Sequence, residues 1–182
     1  VMASKIKVDT LETANGSGTI ALSNQLSGMT SASMPSGSVV QVVYKSNEGS
    51  TNTYIETTSS TYATIPNLST AITPTSTSSK VLVSFHGAGF CRGSATNIQL
   101  RLLRGSTVVW EADRFMYTES GGTWGNVNIT NSFVDAPSTT SGITYSLQCA
   151  ISGGTGQSLK IGDYVSSSAA TMTSMQLIEI KG

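Results

Sequence analysis

His86 is the only histidine in this 182-residue chain. A Ser-His-Asp relay would have to use it, since the relay needs an imidazole to take the nucleophile's proton and an acid to orient that ring. Ser84 stands two residues away and shares a strand face with it. Both sit inside the apolar run 81–90, and no Gly-x-Ser-x-Gly turn presents a nucleophile nearby. The pattern predicts a core or interface histidine. A single imidazole also rules out the usual His-rich zinc sites, and the spacing of Cys91 and Cys149 fits no metal motif. No metal and no other cofactor is expected.

Glycoside hydrolysis needs two carboxyl groups facing one bond. Glu111 and Asp113 share a strand face, and Glu119 and Asp135 lie in neighbouring segments. Among ten acidic residues some will always look paired, so these read as solvated surface groups. Gly87-Ala-Gly89 departs from the Gly-x-Gly-x-x-Gly phosphate loop, and no helix follows to receive an anion. Glycines two apart predict a crowded strand face where another chain segment comes close. Asn-x-Ser/Thr triplets at Asn15, Asn67 and Asn128 are expected by chance in so hydroxyl-rich a sequence. The reading is of a protein that is not an enzyme.

The segment from Asp113 to Trp124 is the strongest binding candidate. It gathers Phe115, Tyr117 and Trp124 beside Asp113, Glu119 and two glycines. Aromatic rings next to polar groups suit sugar or protein recognition, because a ring offers contact area at small entropic cost. Against this, Phe115 and Trp124 would equally serve to pack the ends of a hairpin.

These residues are carried by strands. Ile143, Tyr145, Leu147, Cys149 and Ile151 alternate with Thr144, Ser146 and Gln148, as in a half-buried antiparallel strand. Residues 97–103 and 107–113 read as a hairpin closed by Gly105-Ser106, a pair suited to a II′ turn. Further strands are predicted at 38–45, 53–57, 62–65, 71–73, 80–90, 125–134, 158–164 and 172–180. Turn clusters divide them, Pro66-Asn67 among them. No amphipathic helix stands out. About ten short strands with regular turns predict an all-β sandwich or jelly roll.

Composition narrows the function classes. Charged residues make up 11% of the chain, below the usual quarter or so, and the formal net charge is zero. That is no footprint for nucleic acid or for an acidic membrane surface. No apolar run approaches the roughly 20 residues that span a bilayer, so no membrane insertion is expected. The opening residues hold no signal-type apolar stretch, which predicts release by a route such as lysis. In that setting both cysteines are expected as buried free thiols.

The first thirty residues are of another kind. Two thinly apolar runs, 6–11 and 19–22, flank Asn15-Gly-Ser-Gly18, and neither can bury itself. Ile6, Val8, Leu11, Ile20, Leu22 and Leu26 therefore look for a core among neighbouring subunits. Residues 27–37, with Met34-Pro-Ser-Gly37, read as a linker, giving an arm with linker over 1–36 and a head over 37–182.

The stretch from Ser4-Lys-Ile-Lys-Val-Asp-Thr-Leu-Glu to Leu26-Ser-Gly-Met29 resembles the opening of fibre and spike virion proteins of tailed phages, particularly those of marine cyanobacteria. The head resembles more loosely the jelly-roll heads of phage fibres and of C1q/TNF-like proteins, including its closing strand Met175-Gln-Leu-Ile-Glu-Ile-Lys-Gly182. The resemblance implies a virion protein and a homotrimer. Residues 3–30 would attach to other virion proteins of tail or capsid, and the head would bind a host surface glycan or protein. A complete tail fibre usually carries a longer shaft, which leaves room for a capsid decoration or head-fibre protein. A glycan-degrading tailspike is the third alternative.

Overall fold

The computed structural model describes residues 33–47, 54–119, 125–153, 156–162 and 173–182. The arm residues Ile6, Val8, Leu11, Ile20, Leu22 and Leu26 lie outside them, as does Trp124.

Alternating side chains dictate strands, and ten are formed: β1 (Val39–Asn47), β2 (Ile55–Thr57), β3 (Ala63–Ile72), β4 (Lys80–Arg92), β5 (Thr96–Arg104), β6 (Thr107–Thr118), β7 (Gly125–Asp135), β8 (Ile143–Gly153), β9 (Ser158–Ile161) and β10 (Thr173–Ile180). Every pairing among them is antiparallel. Sheet one runs β1-β10-β4-β7, and β9 with β2 extends it along the far part of β4. Sheet two runs β3-β8-β5-β6. The chain changes sheet after β2, β3, β4, β6, β7 and β8, crossing repeatedly between the two layers as in a jelly roll. The protein is an all-β sandwich, as the patterning predicts.

Inward positions form one core. Tyr145, Leu147, Cys149 and Ile151 of β8 are buried, as are Ile98, Leu100 and Leu102 of β5, facing Val81, Val83 and Phe85 of β4 and Met175 and Leu177 of β10. Fully burying each aliphatic side chain contributes roughly 1.5–3 kcal/mol, so this interior is the main source of stability. Gly105 has φ +59° and Arg104 pairs Thr107, which gives the expected two-residue II′ hairpin. Both cysteines are buried and free, and burial pushes the Cys149 thiol up to about 12. Neither offers a thiolate for chemistry.

One expected break is absent. Pro66-Asn67 does not separate two strands; β3 runs through it as an irregularity between Thr64 and Ser69. Asn67 takes φ 61°, a left-handed conformation that asparagine tolerates better than most residues. The detour lets Ile65 and Leu68 both reach the core.

The compact unit is Met34–Gly182. Its first residues turn at Pro35–Ser38, where Gly37 has φ +86° and Ser38 N–H donates to the Pro35 carbonyl at 3.2 Å. Gly37 N–H donates to the Lys181 carbonyl at 2.7 Å, and Lys181 Nζ donates to the Met34 carbonyl. Met34 and the C-terminal residues therefore share one end of the sandwich.

Glu179 is fully buried at that end. Its carboxylate accepts from Gln41 Nε2 at 2.6 Å and from the Thr75 amide and hydroxyl at 2.7 and 2.8 Å. Burial alone would raise its pKa, but these hydrogen bonds outweigh burial and hold it below the usual glutamate value. A carboxyl depressed in the folded state stabilises above its unfolded pKa and loses that contribution as pH falls through the folded one. Urea midpoints measured from pH 7 down to pH 3 are expected to fall, and Glu179→Gln to flatten that fall. An unchanged acid slope in Glu179→Gln would remove this carboxylate as the cause.

Candidate functional site

The outer face of sheet one is built by cross-strand register. Val42, Ile178, Leu82 and Val134 stand side by side across β1, β10, β4 and β7. One step along the strands stand Tyr44, Gln176, Ser84 and Ser132, and the next step brings Ser46, Ser174, His86 and Thr130. Neighbouring strands lie about 4.8 Å apart, so each row crosses roughly 14 Å of surface. None of these twelve positions holds an acidic or basic residue other than His86. The first row is apolar throughout, and Val42 and Val134 are each about half exposed, at 52% and 51%.

The second and third rows form an open groove of about 410 Å³. Tyr44 stands on one side with 56% of its surface exposed, and His86 and Thr130 on the other, with Ser84, Ser132 and Gln176 among the residues between. His86 is exposed, so of the expected core or interface position the core one is excluded: at the even positions of β4 the side chains turn away from the interior. His86 Nδ1 lies 2.9 Å from Thr130 Oγ1, whose single proton goes to Asn128 Oδ1 at 2.9 Å. The imidazole therefore donates from Nδ1 and, when neutral, keeps Nε2 as an acceptor. Among the described residues the bond from Nδ1 goes to Thr130 and not to a carboxylate that would orient the ring for proton relay.

The outer face of sheet two is charged by contrast. Arg101 Nε donates to Gln148 Oε1 at 2.8 Å, and its guanidinium lies 4.0 Å from the centre of the Tyr62 ring. Tyr62 donates to Glu111 Oε1 at 2.8 Å, and Gln99 Nε2 to Asp113 Oδ1 at 3.4 Å. Burial and the bond to Glu111 push the Tyr62 hydroxyl up to about 12. Glu111 and Asp113 do share this face, and each is held by a neighbour. Asp135 is buried in an ion pair with Arg104 and is far from solvated, which corrects the expectation of a surface carboxylate.

Of the described residues predicted to bind, Phe115 parts from Asp113, Tyr117 and Glu119. Tyr117 is exposed on edge strand β6, with the Arg114 guanidinium 5.4 Å from its ring centre. Asp113 and Glu119 are exposed on and just beyond the same strand. Phe115 turns inward and meets the Trp110 ring edge-on at 6.3 Å, while Trp110 in turn packs on Phe85 at 5.9 Å. No group of three or more His, Cys, Asp or Glu side chains converges among the described residues.

No protein-family model and no curated protein matches the chain. Solved structures with similarity include the infectious bursal disease virus VP2 subviral particle, at 12% identity and TM-score 0.37, covering 80% of this chain and 43% of that one. The virus of the Gx strain gives 14% and 0.39, with 79% and 33% covered, and that of the Gt strain 14% and 0.37, with 81% and 43%. This chain thus spans less than half the length of each. At that level of similarity nothing about function follows.

The groove was hidden in the sequence because its residues come from four strands. Tyr44, His86, Thr130 and Gln176 are scattered over the whole chain and share no local motif. The one local signal was the pairing of Ser84 with His86 at a spacing of two.

Proposed function

We propose that this chain is a non-enzymatic structural protein of a virion, displayed as a homotrimer. Its residues 3–30 attach to other virion proteins and its head, 37–182, meets a host surface glycan or protein. The observation that carries the reading is the apolar row Val42-Ile178-Leu82-Val134 on the outer face of sheet one. A monomer has no use for such a row beside an opposite face that is charged and polar. A second copy seated on this row, and clear of the Tyr44 and His86 rows beyond it, would desolvate it. The row lies toward the end of the head where Met34 enters. Of the head, Tyr117 with Asp113 and Glu119 forms an exposed polar-aromatic edge for a receptor, and Trp124 belongs with them by sequence. The resemblance of the arm to phage fibre and spike openings supports the virion placement. Tail fibre and capsid decoration both fit, and a particle map separates them.

The test is the solution mass of the full chain by light scattering. Three chains are expected. Val42→Asp with Val134→Asp is expected to release single chains with unchanged far-UV circular dichroism, since both positions are half exposed and outside the core. A wild-type mass of one chain defeats the trimer.

A further inference from the structure

We propose that the groove on the outer face of sheet one, between Tyr44 and the His86–Thr130 pair, binds an uncharged saccharide. The inference rests on the reading of the head as a receptor-binding module, but it puts the site on a different face from Tyr117.

The lining decides the ligand class. Among the described residues that line it there is no lysine, arginine, aspartate or glutamate, and His86 stands among hydroxyl, amide and aromatic side chains. A phosphate, a sulfated or sialylated glycan or a metal ion would find no countercharge there. What the groove offers is hydroxyls and amides. Ser84, Ser132 and Thr130 can donate and accept, and Gln176 presents both functions on one planar group. Sugar hydroxyls have the same double character, so rows of such groups at strand spacing can match a ring's edge on several bonds at once. The Nε2 of neutral His86 adds a fixed acceptor, because the ring is held through Nδ1 by Thr130 and Asn128.

Tyr44 supplies what a purely polar surface lacks. Its ring is the most exposed large hydrophobic side chain among the described residues, yet it stands in a row whose other members are Gln176, Ser84 and Ser132. A phenol there has an apolar face for the C–H side of a pyranose and a hydroxyl for its edge. All of these groups sit on paired strands rather than loops, so little ordering entropy is lost on binding. The groove begins one row beyond the apolar band and runs away from the Met34 end.

The test is calorimetric titration of the full chain with three neutral probes and one acidic one. The neutral probes are oligomers of glucose, mannose and N-acetylglucosamine, and the acidic probe is an oligomer of sialic acid. At least one neutral probe is expected to bind and the acidic one not. Tyr44→Ala, and Ser84→Leu to fill the floor, are each expected to weaken binding by about tenfold or more. Tyr44→Phe, which keeps the ring, is expected to retain most of it, and Val108→Ala, exposed on β6 of the other sheet, all of it. Binding that Tyr44→Ala and Ser84→Leu leave intact overturns the site, as does failure of every neutral probe or a preference for the acidic one. Loss of binding in Tyr117→Ala alone moves the receptor site to β6 and keeps the receptor reading. Light scattering on the same samples reads the assembly separately: single chains that still bind through Tyr44 defeat the trimer and leave the groove.

Discussion

Gly89→Ala is expected to destabilise the sandwich by about 3 kcal/mol or more, at the upper edge of what overpacking usually costs. A Cβ at this position would stand 1.9 Å from the Lys160 carbonyl oxygen and 2.8 Å from the Ile161 Cα. Both are backbone atoms of β9, paired to β4 at this point, so neither can swing aside as a side chain could. The only relief is separation of β4 from β9, which also strains β2 beyond it. Two neighbours calibrate the effect. At Gly87 the added atom meets the Ile129 side chain at 2.9 Å, where a rotamer shift gives room, and about 1–2 kcal/mol is expected. At Gly125 the nearest atom is the Cys91 carbonyl oxygen at 3.7 Å, an ordinary contact, and the change should be close to neutral. For a chain of this size each kcal/mol moves the melting temperature by roughly 2–4 °C. The order Gly89, Gly87, Gly125 in thermal and urea unfolding is the readout. A Gly89→Ala protein within about 1 kcal/mol of the parent would show that β9 does not lie so close.

That glycine pair illustrates what sequence conveys and what it withholds. Glycines two apart on an otherwise apolar strand announced a close approach, and the partner at Gly89 is the β9 backbone. The partner's identity was not legible, since β9 follows some seventy residues later. Local periodicity sufficed for β8 and for the Gly105-Ser106 hairpin, where alternation and turn chemistry lie within one window. It failed at Pro66-Asn67, because an irregular strand with a left-handed Asn67 looks the same as a turn until its neighbour β8 is known. It left His86 between core and interface because the apolar run 81–90 is two faces interleaved: the odd positions build the core and the even ones the outer face. Glu179 and Asp135 look like surface acids for a related reason. Their partners Gln41, Thr75, Arg104 and Tyr145 are brought to them only by the fold.

Removing the Asp135 carboxylate is the second change expected to cost the fold several kcal/mol. Asp135 closes β7 in sheet one. Arg104 Nη1, at the end of β5 in sheet two, donates to its Oδ1 at 3.0 Å and its Oδ2 at 2.8 Å. Tyr145 of β8, fully buried, donates to Oδ2 at 2.6 Å. The carboxylate thus ties one sheet to two strands of the other, and burial with this bond raises the Tyr145 hydroxyl well above its ordinary value. Asp135→Ala leaves a guanidinium and a phenol with no acceptor inside the sandwich. Breaking a buried pair from one side costs about 3–5 kcal/mol. The Arg104 side chain keeps 28% exposure and can recover some hydration, so the lower end, about 3 kcal/mol, is expected here. Tyr145→Phe gives up one charge-assisted bond and should cost about 1.5–3 kcal/mol. The decisive comparison is the double replacement Arg104→Met with Asp135→Ala. With both charges gone only the Tyr145 hydroxyl is left without its acceptor and no charge is stranded, so the double variant should be more stable than either Asp135→Ala or Arg104→Met alone. Urea unfolding of these variants at pH 7 supplies the cycle. Simple addition of the two single losses would mean that Arg104 and Asp135 do not depend on each other, and the clamp between the sheets would have to be sought elsewhere.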